Sequence, residues 1–417
     1  MLWRTATVAL AVAASGFCAA LVHAEISHSS LPQPELRLDT PLYLADAPAP
    51  DRRPLMALLN EAGIAEPLEK LKIDIFGHIE GSYTYNFDRP DSGINPIRVF
   101  DFEHDEPLLN QLNLTVERAV DASQRKWDIG GRMEWIYGAD AGLIHSFGLF
   151  DWYDGPRKPE NQWDLNQLYL DLAIPVGNGL LVRGGKWVTL LGYETINPAT
   201  NPFYSRSILF GFAIPFTHTG ILLSYPLNDN WLIEGAIVRG WDQWEDVNDG
   251  VSFIGKVGWT SSDKKHGVIA QFITGPEQPD NESNYRTVFD FIFTTAVTDK
   301  LSFAVNADIG FEDDALGSRD AQWYGIAGYV SYVLNEMFTL NGRAEWFRDD
   351  DGARTGVDAD YYELTAGVSI RPFHGHKIGK HFVIRPELRG DFSNEDVFDD
   401  GSSSSQFTAA VDAIFEF

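Results

Sequence analysis

The chain has 417 residues, with 60 acidic and 32 basic side chains and a formal charge of −28, a balance that repels phosphates and argues against a nucleic-acid partner. Aromatics make up 13% of residues and mean hydropathy is only −0.18. No apolar run after Ala24 approaches the roughly 18 residues of a membrane helix, which excludes a helical membrane protein. A membrane barrel stays open, because its strands span with roughly 9–11 residues and turn every second side chain to the inside.

Residues 1–24 read as an export signal: Arg4 is followed by an apolar stretch from Ala6 to Val22, and Val22-His23-Ala24 suits a signal-peptidase site. The only cysteine, Cys18, lies within it. Its removal leaves no thiol for disulfides, CxxC zinc sites or cysteine catalysis. Residues 25–70 form a periplasmic leader. Five prolines between Pro32 and Pro50 make its first part extended or disordered, and Leu55, Leu58 and Leu59 share one side of a short helix over 54–71. That helix packs near the mouth of the barrel or, alternatively, enters it as a plug.

From residue 71 to 417 strand-like stretches follow at 71–87, 108–118, 125–137, 163–173, 179–188, 215–225, 231–240, 251–260, 266–275, 284–297, 300–311, 322–334, 337–348, 361–371, 382–392 and 405–417. About sixteen strands with strictly alternating short and long connections predict an all-β, antiparallel transmembrane barrel with both ends on the short-turn side. Parity supports this. In 301–311, Leu301, Phe303, Val305, Ala307, Ile309 and Phe311 oppose Ser302, Asn306, Asp308 and Gly310. In 382–392, Arg385, Glu387, Arg389 and Asp391 share a face, and four charges cannot point into hydrocarbon, where each costs about 2–4 kcal/mol near the midplane. The same logic turns Asp128, Arg132, Glu134, Arg343 and Glu345 to the lumen, beside Gln111, Asn113, Thr115 and Glu117. Arg183 and Lys186 fall on opposite parities, so Gly184-Gly185 is expected to carry a register-resetting bulge. Aromatics near strand ends predict girdles, among them Tyr83, Tyr85, Phe87, Trp135, Tyr137, Trp241, Trp244, Trp259, Trp346 and Phe347.

The connections divide by charge. Eight long ones hold 31 Asp and Glu against 7 Lys and Arg, while the short ones hold five acidic and seven basic residues. Two aqueous faces separated by a membrane explain such an asymmetry. The third long loop, 189–214, is the exception: Glu194 and Arg206 are its only charges, set among Tyr204, Phe203, Phe210 and Phe212. A loop this apolar is expected to fold against the inner wall and narrow the pore, with Arg206, Glu194 and Tyr204 at the constriction. Packing on a neighbouring subunit or covering the mouth are the alternatives.

No GxSxG, HExxH, P-loop or strand-borne GxGxxG occurs, and no cofactor or stoichiometric metal is expected. His78 with Glu80, the run His104-Asp105-Glu106, and the His374, His376 and His381 group read as lumen and loop polarity. Asp349-Asp350-Asp351 and Asp399-Asp400 offer hard oxygens for loose Mg²⁺ or Ca²⁺ bridging to lipopolysaccharide.

The final strand alternates Phe407, Ala409, Val411, Ala413, Phe415 and Phe417 with a mixed face, like the closing strand of a bacterial outer-membrane barrel. Several stretches together carry a wider likeness: 77–86 (GHIEGSYTYN), 109–112 (LNQL), 130–132 with 137–140 (GGR and YGAD), 201–205 (NPFYS), 215–220 (PFTHTG) and 239–242 (RGWD). As a set they resemble the outer-membrane β-barrel porin family described as OmpL-like, from about residue 70 to the end. The resemblance implies an outer-membrane barrel and a pore, and no catalytic residues.

Size agrees, since 16 to 18 strands leave an aqueous lumen. The expected function is passive diffusion of ions and small hydrophilic solutes, with lipid and lipopolysaccharide as surroundings and a homotrimer as the assembly common at this size. A structural or adhesive barrel with a closed lumen and a barrel enzyme are the rival readings.

Overall fold

The computed structural model describes residues 52–151 and 160–417; the export signal and the leader up to residue 51 lie outside the described residues. In place of one helix over 54–71 there are two, α1 (Pro54–Glu61) and α2 (Ala65–Lys70). Gly63 separates them with φ 74°, a backbone state that glycine adopts at little cost. Arg53 stacks on Phe76, 3.5 Å from the ring centroid, which ties this segment to the first strand.

Sixteen strands follow: β1 (Ile73–Asn86), β2 (Pro107–Arg118), β3 (Asp128–Gly138), β4 (Gln162–Ile174), β5 (Leu180–Val188), β6 (Thr217–Pro226), β7 (Trp231–Val238) and β8 (Ser252–Thr260). The second half holds β9 (His266–Pro276), β10 (Tyr285–Ala296), β11 (Leu301–Glu312), β12 (Ala321–Val333), β13 (Phe338–Asp349), β14 (Ala359–Ile370), β15 (Phe382–Ser393) and β16 (Ser405–Glu416). Each pairs antiparallel with its neighbours in sequence, and β1 closes on β16 through nine residue pairs from His78↔Glu416 to Asn86↔Thr408. Closure leaves no free sheet edge, the condition for a β-structure to sit in lipid.

Burial is inverted relative to a water-soluble protein. Ile309, Phe311 and Leu388 are exposed, whereas Asp308, Arg385, Glu387, Arg389 and Asp391 are buried. Hydrocarbon on the outside, and a polar interior that inward side chains and loops fill, give that pattern its physical sense.

Three local features depart from the sequence reading. The ladder runs through Gly184 and Gly185 without a register shift. Instead Gly185 takes φ 138°, and Arg183 and Lys186 both reach inward carboxylates, Asp171 at 2.9 Å and Asp164 at 3.5 Å. Register does shift between Glu80 and Gly81 opposite β2, and between Glu134 and Trp135 opposite β4. These shifts put Asn110 beside Gln111 and Asn166 beside Gln167, four consecutive-pair amides that are all buried. Finally, two of the expected girdle residues face the other way. Phe347 is fully buried against the loop packed in the lumen, and Trp241 lies under the guanidinium groups of Arg286 and Arg354. The outer face keeps aromatic pairs such as Trp231 with Trp259 and Tyr137 with Trp163.

Candidate functional site: a loop across the lumen

The loop between β5 and β6 decides what the inside of the barrel is. It leaves the wall at Val188, and its polar contacts fall on β11, β12, β13 and β15 as well as on β1 and β2. In a ring of sixteen strands β13 stands eight places from β5, so the loop reaches the opposite wall. Its lack of charge, the signal visible in the sequence, is what lets it leave the solvent.

Each anchor is a wall side chain that satisfies loop backbone. Glu345, at the middle of β13, accepts from the Ile208 and Leu209 amides, both at 2.7 Å. Those two N–H groups sit at the start of the π-helical turn Leu209–Ala213, where donors lack an internal partner and favour an anion. Glu387 on β15 accepts from the Tyr204 and Ser205 amides at 2.9 and 3.2 Å. Arg385 donates to the Pro198 and Asn201 carbonyls at 2.9 and 2.6 Å while pairing with Asp412 at 2.5 Å. Arg389 donates to the Arg206 carbonyl at 2.6 Å and pairs with Asp391 at 2.8 Å. Apolar contacts complete the seat, with Leu209, Ile208 and Ala213 packed among Trp323, Phe347 and Tyr361.

The three residues expected at the constriction are brought together, but each is turned to a structural task. Glu194 bridges the Arg343 guanidinium at 2.7 Å and the Ser207 amide at 2.6 Å. Tyr204 Oη donates to the Phe100 carbonyl at 2.9 Å and accepts from Ser82 and Asn110, joining this loop to β1, β2 and the β1–β2 loop. Burial pushes its phenol well above the usual range, so it stays a donor. Arg206, expected to present its charge to the pore, directs its guanidinium to four carbonyls of its own loop, those of Thr195, Ile196, Phe203 and Tyr204. The difference has a plain cause. A loop crossing a lumen carries carbonyls without strand partners, and a five-donor side chain satisfies several at once.

Of the lumen residues, Arg343 bridges Glu194 and Glu363, the latter at 2.8 Å, and Glu134 accepts from Asn113, Asn166 and Gln167 at 2.9–3.1 Å. Arg132 pairs with Glu134 at 3.0 Å. Asp128 lies at the short-turn end, paired with Arg118 and Lys72, and takes no part in the constriction.

A second inward loop was not anticipated. Residues 87–106 also turn in, and Arg98 pairs with Asp101 and with Asp391 on β15. Gln406 Nε2 donates to the Pro96 carbonyl at 3.0 Å. The hint in the sequence is Arg98, one of two cations, with Arg89, among the six carboxylates of this loop.

The histidines are placed as ordinary polar groups. His78 bonds Gln111 at 3.0 Å, His104 accepts from the Asn86 amide at 2.9 Å, and His374 faces Glu336 at 3.6 Å. Among the described residues no three of His, Cys, Asp and Glu converge as a metal site. Asp349 of the acidic outer loop turns inward and accepts from the Ala353, Arg354 and Thr355 amides.

Residues 72–417 match the family model described as "Putative beta-barrel porin-2, OmpL-like". The chain belongs to this porin family. It is an outer-membrane porin, and its barrel is a channel. Solved structures agree on the fold. The outer-membrane channel DcaP of Acinetobacter baumannii superposes with TM-score 0.54 at 15% identity, over 83% of this porin and 97% of that chain. OprB of Pseudomonas putida, in its high-pH structure, gives 0.57 at 8% identity over 86% and 97%. An anion-selective porin from Comamonas acidovorans gives 0.54 at 10% over 83% and 99%. OmpT of Vibrio cholerae, in its trimer form, gives 0.54 at 11% over 83% and 99%. A search of curated proteins found no match.

Proposed function

We propose that this porin passes ions and small hydrophilic solutes by passive diffusion, through a lumen narrowed by the 189–214 loop, with residues 1–24 serving as its export signal. The observation that carries this reading is the loop's span from β5 to β13 and β15, held by Glu345, Glu387, Arg343, Arg385 and Arg389. Arg206, Glu194 and Tyr204 hold the loop's shape and thereby set the width of the passage. Selectivity then comes from the outer loops. Their excess of carboxylates concentrates cations at the mouth through a field that salt screens over about 10 Å at 0.1 M and 3 Å at 1 M.

No covalent chemistry is assigned to any residue. Lipopolysaccharide is bound at the outer rim by divalent bridging from loop carboxylates such as Asp399 and Asp400, and the assembly is a homotrimer, as the likeness in fold to OmpT in its trimer form suggests.

Planar-bilayer recording is the test. The expected result is reproducible conductance steps with a cation preference that fades between 0.1 and 1 M salt, and larger steps in Arg206→Gln, whose loop loses its internal brace. Absence of steps would return the adhesive barrel with a closed lumen.

A further inference from the structure

Across the wall from β7 to β11 the inward side chains Glu234, Lys256, Gln271, Asp290 and Asp308 form one lateral row, each the direct Cα partner of the next. Lys256 pairs with Glu234 at 3.0 Å. Asp290 is served by neutral donors, Gln271 Nε2 on one oxygen and Asn306 Nδ2 on the other, both at 2.6 Å. Asp308 is the outlier. It is only 4% exposed, no amide, hydroxyl or cation of the protein reaches its carboxylate oxygens, and the group that lies against it is the Asp290 carboxyl. Its neighbour on β12 in the same row is Gly325, which offers no side chain. Gln271 contributes an independent sign: its Nε2 is taken by Asp290, and its buried Oε1 has no partner either.

Two carboxylates directly opposite on adjacent strands repel, and a buried anion requires a positive partner. The open acceptors are all hard oxygens, and a bound cation would let both carboxyls ionise side by side. We propose that Asp308, Asp290 and Gln271 Oε1 form a binding site for a hard divalent cation, Ca²⁺ or Mg²⁺, on the inner wall of the barrel. Such ions accept one or two carboxylates, an amide oxygen and water in one shell. Asn306 links the site to the constriction loop, because its Oδ1 accepts from the Tyr193 amide at 3.0 Å.

Equilibrium dialysis with radioactive Ca²⁺ on the folded full chain in detergent, at pH 8 after chelator treatment, tests the proposal without reference to conductance. A failed binding test therefore leaves the channel reading untouched, and silent bilayers leave the site untouched. The expected result is one saturable site per chain, weakened at least tenfold in Asp308→Asn and in Asp290→Asn and unchanged in the outer-loop control Asp313→Asn. Folding of each variant is checked by its heat-dependent shift on a gel. If Asp308→Asn fails to fold, Asp290→Asn and Gln271→Leu decide, the latter weakening binding severalfold. A folded variant of either kind that binds like the wild type overturns the site. So does wild-type protein with no saturable uptake, the outcome if the two aspartates share a proton instead, and so does uptake abolished by Asp313→Asn.

Discussion

On β13 and β15, Arg343, Arg385 and Arg389 are each bonded to a carboxylate and a loop carbonyl, whereas the row from β7 to β11 ends in two facing carboxylates with no cation of the protein between them. Both walls are polar and both face inward. What separates them is the loop: one wall uses its charges to seat backbone that has crossed the lumen, and the other meets that loop at the Tyr193 amide and through apolar side chains such as Ile254, Ile273, Val288 and Ala304. Charge on the seating wall is therefore tied to loop backbone, and the Asp290–Asp308 pair on the opposite wall is not.

The largest way to break this contrast is Arg343→Met. Glu194 and Glu363 would then be left buried without their shared guanidinium, and breaking one partner of a buried pair costs about 3–5 kcal/mol. The expected outcome is a marked fall in the temperature at which the folded barrel converts to the unfolded gel band. A shift no larger than that of a surface substitution would show the network to be ornamental.

Acid sharpens the comparison at the outer mouth. Glu277, in the β9–β10 loop, accepts from Ser252 Oγ at 2.6 Å and from the Trp241 amide at 2.7 Å, yet burial pushes its carboxyl up to about 7 from the ordinary 4.5. The folded state thus holds the proton more tightly than the unfolded state. That contribution is fully present below pH 4.5 and is lost as pH rises through 7, on the order of 3 kcal/mol in all. The barrel should resist heat better at pH 5 than at pH 8. Glu277→Gln should flatten that difference, and an unchanged pH profile in the variant would exclude Glu277 as its source.

How much of this the sequence could disclose follows from the range of each interaction. Parity is local, so Asp308 and Ile309, or Glu387 and Leu388, announce opposite surroundings from adjacent positions. The inward fold of 189–214 is legible for the same reason, since its composition alone disqualifies it from water. Partner choice is not local. Glu345 lies 137 residues from the amide of Ile208 that it caps, and Arg98 lies 293 residues from Asp391. No spacing rule connects them. Bulges escape too, because a one-residue shift is set by the pairing of two strands and leaves no mark in either alone.

Loosening the seat at a single side chain gives an intermediate effect. Glu345→Gln keeps an acceptor for one of the two amides and loses the charge-assisted bond to the other, a change of about 1–3 kcal/mol. The loop should become cleavable by protease added from the outside, and single-channel conductance should rise. Intact loops and unchanged steps would place the anchor elsewhere, in the apolar contacts of Leu209 with Trp323 and Phe347.

The smallest expected effect falls on the opposite wall, and its sign is the informative part. In chelator, Asp308→Asn removes one of two like charges that face each other across β10 and β11, and the new amide can donate to Asp290. The variant should then be slightly more heat-resistant than the wild type, by about 0.2–1 kcal/mol. Truncating a charge on the seating wall has the opposite sign because each charge there already has its partner. If Asp308→Asn destabilises in chelator as Arg343→Met does, Asp308 has a structural bond of its own, and the two walls are alike.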